Sequence, residues 1–226
     1  MTEGMEGTCS VIVDYVINQI ADKNYAVGDK LPPERDLALQ LGISRATVRE
    51  GIKVLNYLGF IDSTQGSGNY ITDTYEKTTA KIMSVMYVRG DVSFRDFTIF
   101  RQMLELQAFD LAIDRATEDQ ITEMKQIVDL LDLTKNSDLI FQLDIRFHTL
   151  LVEASHNSLL LINFNALSSV TEEYMFDTYH HTVTKKTAGF EKLQGYHHAI
   201  VNALINKDRE AGSAAIRDHF SWISPK

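Results

Sequence analysis

The chain has 226 residues, with 22 Lys and Arg against 31 Asp and Glu and a formal net charge of −9. That length admits one or two domains, and no run of about 18 apolar residues occurs, so no membrane span is expected. The first residues lack the basic-then-apolar pattern of a secretory signal. A single cysteine, Cys9, excludes an intrachain disulfide and fits a reducing compartment, so a cytoplasmic location is expected.

Residues 1–73 carry 6 Lys and Arg against 10 Asp and Glu, and residues 74–226 carry 16 against 21. Neither part is basic, so any contact with a nucleic-acid backbone must rest on a small focused patch.

In chain order, the first pattern is an amphipathic face of Val13, Val16, Ile17 and Ile20. A second short helix is expected from Pro33, where a missing N–H costs nothing. Its apolar residues are Leu37, Ala38 and Leu41. After Gly42-Ile43, Ser44 is a good N-cap for a third helix. Val48, Ile52 and Leu55 form its buried stripe; Arg45, Arg49 and Lys53 lie four apart on a neighbouring one. Three helices of this size share a small core in a helix-turn-helix arrangement. Phe60-Ile61, then Gln65-Gly66-Ser67-Gly68, then Tyr70-Ile71 suggest a β-hairpin, which beside a helix-turn-helix is a wing. Ser44, Arg45, Thr47 and Arg49 at the helix end suit phosphates and base edges.

The segment resembles the winged helix-turn-helix of the GntR family of bacterial transcription regulators. The matching pieces are Leu31-Pro32-Pro33-Glu34-Arg35, Ser44-Arg45-Ala46-Thr47-Val48-Arg49-Glu50 and Gly66-Ser67-Gly68-Asn69-Tyr70-Ile71. The resemblance implies operator contacts by Arg35, Arg45 and Arg49, with Gly66 at the minor groove. Pro33 and Asn69 depart from the family pattern, where Ser and Thr are common; neither change removes a charge. Operator-binding candidates are therefore Arg35, Ser44, Arg45, Thr47, Arg49 and Gly66.

Residues 74–79 read as a polar linker. Beyond them, helices are expected near 80–88, 93–115, 118–134, 137–155, 158–178, 187–206 and 208–222. The predicted architecture is mainly α. A winged helix-turn-helix DNA-binding domain spans 1–73, and an antiparallel all-α helical bundle spans 80–226; the family resemblance given below implies effector binding and dimerisation for that bundle.

Polar residues interrupt the apolar stripes of that bundle. Asp144 and His148 share a stripe with Phe141 and Leu151, His197 with Leu193, Ile200 and Leu204, and His219 with Ile216 and Ile223. An Asp with three His is a ligand set for a divalent metal, zinc first, nickel or manganese behind it. Such residues also occur as hydrogen-bonded core groups, and periodicity alone does not choose between His197 and His198, which shares a stripe with Val201 and Ile205. The other four histidines, His156, His180, His181 and His198, serve as a control. Arg101 shares a stripe with Phe97, Leu104, Ala108 and Leu111, so it faces inward. It can bind a small carboxylate effector or pair with Glu105, one turn on.

This half resembles the FCD domain, the effector domain of the FadR-type branch of the GntR family. The matching segments are Arg101-x-x-x-Glu105, Asp144-x-x-Phe147-His148, His197-x-x-Ile200 and His219-Phe220. The resemblance implies metal binding by Asp144, His148, His197 and His219, and an organic acid as effector. It selects His197 over His198. The expected protein is a homodimeric, metabolite-responsive transcription regulator on double-stranded operator DNA, in most relatives a repressor, and not an enzyme. Two alternatives stand beside it: a DNA-binding protein without a ligand, and a metal-dependent hydrolase, which would need a general base that no HExxH motif supplies.

Overall fold

Ser44 starts the third helix as its side chain predicts: in the computed structural model its Oγ accepts a hydrogen bond from the Thr47 amide at 3.1 Å. The structure describes residues 9–64, 66–174, 176 and 188–223. Gln65 of the hairpin, His180 and His181, residues 175, 177, 178 and 187 of the expected helices, and the Ile223 side chain lie outside them. The chain divides into two units, Met1–Thr78 and Thr79–Lys226.

In the first unit, α1 (Cys9–Ala21), α2 (Glu34–Leu41) and α3 (Arg45–Tyr57) precede an antiparallel hairpin of β1 (Ile61–Thr64) and β2 (Gly68–Ile71). Gly42 takes the left-handed conformation at the end of α2, with φ +65°. That is the backbone state glycine adopts without strain. It reverses the chain within three residues and sets α3 against α2. The shared core is Ile12, Val16, Leu31, Leu37, Ala38, Val48, Ile52, Leu55, Ile61 and Ile71. Ile12, absent from the predicted face of α1, is fully buried with Val16, while Val13, Ile17 and Ile20 pack at its margin. Gly51 explains the tight α1–α3 contact: a Cβ there would stand 1.9 Å from Ile12 Cγ2. The segment before α2 pairs with the hairpin, Leu31 N–H donating to Asn69 O at 2.8 Å and Ile71 N–H to Asp29 O at 2.9 Å.

The stretch expected to be a linker is helical. α4 (Tyr75–Val88) begins at once, with Tyr75 edge-on to Phe60 at 5.4 Å and Thr78 Oγ1 donating to Tyr57 O at 2.9 Å. These anchors hold a polar sequence in a helix that its composition does not announce.

The second unit continues with α5 (Phe94–Arg115), α6 (Glu118–Leu133), α7 (Ser137–Glu153), α8 (Ser158–Tyr174), α9 (Ala188–Asn206) and α10 (Arg209–Ile223). Capping boxes at Ser93/Asp96 and Thr117/Gln120 start α5 and α6, and the Asn136 side-chain Oδ1 accepts from the Asp138 and Leu139 amides to start α7. α9 and α10 pack on each other and on α5, while α7 packs on α5, α6 and α8. The main core joins Phe109, Met124, Val128, Leu131, Phe147, Leu151, Ile200, Leu204 and Ile216. Gly212 lets α10 close on α5, because a Cβ there would lie 1.8 Å from Phe109 Cζ.

Candidate functional sites

Arg45 opens α3 and is exposed, and Arg49 follows one turn later. Thr47 turns toward the cap, its Oγ1 2.8 Å from Ser44 Oγ. Two of the three arginines carry carboxylate neighbours. Arg49 donates to Glu34 across the gap between α3 and α2, at 3.1 Å through Nη2, and Arg35 pairs with Asp36 at 3.0 Å. Both guanidinium groups remain mostly exposed, so DNA phosphates or bases can compete for them. Gly66 has φ +78° and open space around its Cα.

The sequence reading missed Lys30. Its stem crosses Gly68, where a Cβ would meet Lys30 Cε at 2.6 Å, and its ammonium lies 5.7 Å from the Tyr70 ring centroid. Lys30, Pro32, Pro33 and Glu34 face Ser63, Thr64 and the Gly66–Asn69 turn across a cleft of about 590 Å³. No local motif signals this cation; it reaches the wing because residues 28–31 pair with β2.

The inward polar residues of the second unit meet in one place. His148 from α7, His197 from α9 and His219 from α10 are fully buried, and each offers a ring nitrogen within 4.8 Å of the others. Asp144, one turn before His148, brings Oδ1 to 3.4 Å from His197 Nε2 and 3.8 Å from His148 Nε2. The two Nε2 atoms are 3.4 Å apart. Four donors around one ion at bond lengths near 2.1 Å are separated by roughly 3.4 Å, so this spacing fits a metal. His198 points the other way and pairs with Asp132 at 2.7 Å near the surface. His156 is exposed in the turn after α7.

Electrostatics favour ligation. Burial drives the His148 pKa down to about 3, aided by the Arg101 charge, and burial drives His197 down to about 4, against the pull of Asp144. Burial and the neighbouring histidines hold His219 well below its ordinary range. All three are therefore neutral at pH 7, the form that donates a lone pair. Neither ring nitrogen of His219, nor Nδ1 of His197, has a hydrogen-bond partner among the described residues. A buried polar atom left unpaired costs about 1–3 kcal/mol. A cation among these nitrogens removes that penalty at His219, so the residues present fit the group.

Arg101 lies against this cluster. Its Nε donates to Glu105 Oε1 at 2.9 Å, and its guanidinium carbon is 5.4 Å from the Phe164 ring and 5.9 Å from the Phe220 ring. The internal ion pair is thus present. Glu105, fully buried, also meets His148 Nδ1 through Oε2 at 2.6 Å. Burial raises its pKa to about 7, against the lowering effect of Arg101.

A winged three-helix unit joined to an all-helical unit with a buried Asp/His cluster defines the class, a DNA-binding regulator with a sensing domain. The sequence matches "Bacterial regulatory proteins, gntR family" over residues 8–71 and "FCD domain" over residues 96–221. The chain belongs to the gntR family of bacterial regulatory proteins and carries an FCD domain. It is 30% identical over 217 residues to the Escherichia coli (strain K12) protein assigned to regulate the L-lactate dehydrogenase operon, covering 94% of this chain and 83% of that one. The Uxu operon transcriptional regulator of the same organism is 28% identical over 207 residues, 89% of this chain and 79% of its own. The Glc operon transcriptional activator is 26% identical over 225 residues, 95% and 87% of the two chains. The fold matches a solved Streptococcus agalactiae GntR with a TM-score of 0.72 at 23% identity, over 95% of this chain and 98% of that one. These domains and relatives are those of transcription regulators, not of enzymes.

Proposed function

We propose that this regulator binds operator DNA as a homodimer and changes its grip when a small organic acid enters the helical domain beside a divalent metal. The cluster of Asp144, His148, His197 and His219 would hold the metal, zinc first and nickel or manganese behind it. Bound there, the ion supplies a Lewis-acidic positive charge able to hold a carboxylate. Arg101 supplies a second cation, whose fork matches a carboxylate in two parallel hydrogen bonds. The buried neutral histidines next to an inward arginine carry this reading.

In the first unit, Arg35, Arg45 and Arg49 would take phosphates and base edges, with Ser44, Thr47 and Gly66 fixing the approach. A two-fold dimer would read a near-palindromic site. DNA affinity changes by the effector's differential affinity for the two arrangements, and no more. Repression in the cytoplasm, relieved by effector, is the expected output; one relative is named an activator, so a reporter fusion decides the sign.

The test is a gel shift on the protein's own upstream DNA with small hydroxy acids, with and without chelator. L-lactate joins the set because a relative is named for that dehydrogenase operon. Release or tightening by one acid, abolished by chelator, supports the reading. A shift indifferent to every acid favours a second one: a ligand-independent DNA binder, consistent with an Arg101 already paired to Glu105. No preference for the upstream DNA over scrambled sequence overturns both.

A further inference from the structure

The three histidines of the cluster are not held alike. For His197 and His219, the ring nitrogens named above lack hydrogen-bond partners among the described residues. His148 differs: Glu105 Oε2 sits 2.6 Å from its Nδ1, and both side chains are fully buried. Glu105 is itself fixed, since Oε1 accepts from Arg101 Nε at 2.9 Å.

A carboxylate at Nδ1 decides which tautomer an imidazole adopts. With Glu105 ionised, its oxygens can only accept, so Nδ1 donates its proton to Oε2 and the lone pair is left on Nε2. That is the nitrogen lying 3.4 Å from His197 Nε2 and 3.8 Å from Asp144 Oδ1. Opposite tautomers would put a proton among the donors. Ligating histidines commonly give their second N–H to a carboxylate, which orients the ring and makes it a better donor.

We propose that Glu105 is a positioning residue of the metal centre: it presents His148 Nε2, and is in turn held by Arg101. The assignment rests on the metal reading above. It adds a contact between α5 and α7, because Arg101 and Glu105 lie on α5 and His148 on α7. Any group that draws Arg101 away from Glu105 thereby reaches the metal ligand through two hydrogen bonds.

The experiment uses the full chain, purified without a metal-affinity column and stripped with chelator. Zinc chloride is titrated against a chromophoric competitor for wild type and Glu105→Gln, and the melting temperature of each metal-free protein is recorded. In parallel, the histidine ring nitrogens of the zinc-loaded wild type are read by ¹⁵N NMR. The expected result is about a 10–100-fold loss of zinc affinity in Glu105→Gln, with His148 protonated at Nδ1 and ligating through Nε2. A change below about twofold, or zinc on Nδ1, overturns the proposal and leaves the metal reading standing. A wild type that binds no zinc overturns both. If Glu105→Gln fails to fold, the wild-type tautomer spectrum decides.

Discussion

Asp144 is the one carboxylate among the four candidate ligands, and its loss removes both a donor and a negative charge. Asp144→Ala is expected to abolish stoichiometric metal by elemental analysis and to lower the melting temperature in zinc-containing buffer. Retained metal refutes its role. Arg49→Ala is expected to weaken operator binding by about 1–3 kcal/mol if the guanidinium reads a base, measured by titration at fixed salt. The Glu34 ion pair it leaves is exposed and contributes little stability, so the melting temperature should stay put. The histidines also set a pH dependence. His148 and His197 titrate near 3 and 4 when folded and near 6.5 when unfolded. The unfolded chain therefore binds more protons in that window, and their contribution is present above about pH 6.5 and lost as pH falls toward 4. Glu105, raised to about 7, works in the opposite sense: its contribution is full below its ordinary carboxylate range and lost as pH rises through 7. It offsets part of the trend. Urea midpoints of chelated protein should fall between pH 6.5 and 4; a flat profile contradicts the buried neutral state.

Among elements, the helices were legible where side chains set their ends. Ser93, Thr117 and Asn136 cap α5, α6 and α7 in the structure, close to the starts expected from periodicity alone. The inward stripe of Asp144 and His148 was legible for the same reason. Periodicity did not choose His197 over His198, because adjacent positions on α9 both align with apolar neighbours; the family resemblance made that choice, and the packed bundle sends His198 out to Asp132. The pairing of Glu105 with Arg101 was legible from their spacing, but its contact with His148 escaped because that partner is 43 positions away. Lys30 escaped because its placement comes from strand pairing across the unit. Helical glycines are the hardest case: in a sequence they look like weak points, yet Gly51 and Gly212 sit where helices touch. Gly212→Ala would gain about 0.5–1 kcal/mol of helix propensity and force Phe109 from its place. A net loss of about 1–3 kcal/mol is expected from the overpacking, read as a lower denaturant midpoint with unchanged slope. A stabilised variant would mean that α10 and α5 have room to separate.

At the scale of the whole molecule, each unit has its own core. The first is closed by residues between Ile12 and Ile71, while the candidate metal donors all lie in the second. Metal should therefore stabilise one unit and leave the other alone. At zinc 100-fold above its dissociation constant, the gain is about 2.7 kcal/mol. Calorimetry with and without chelator should show one transition moving and the other fixed. Movement of both would mean that the units unfold together.

The order of the donors along the chain has a consequence during synthesis. The DNA-reading unit closes at Thr78, whereas His219 emerges about 140 residues later. At about 5–20 residues per second, a ribosome needs roughly 7–30 s for that interval. Throughout it, every core residue of the first unit has been made while the metal donor set still lacks His219, so capture of an ion by the full set waits until the chain is nearly finished.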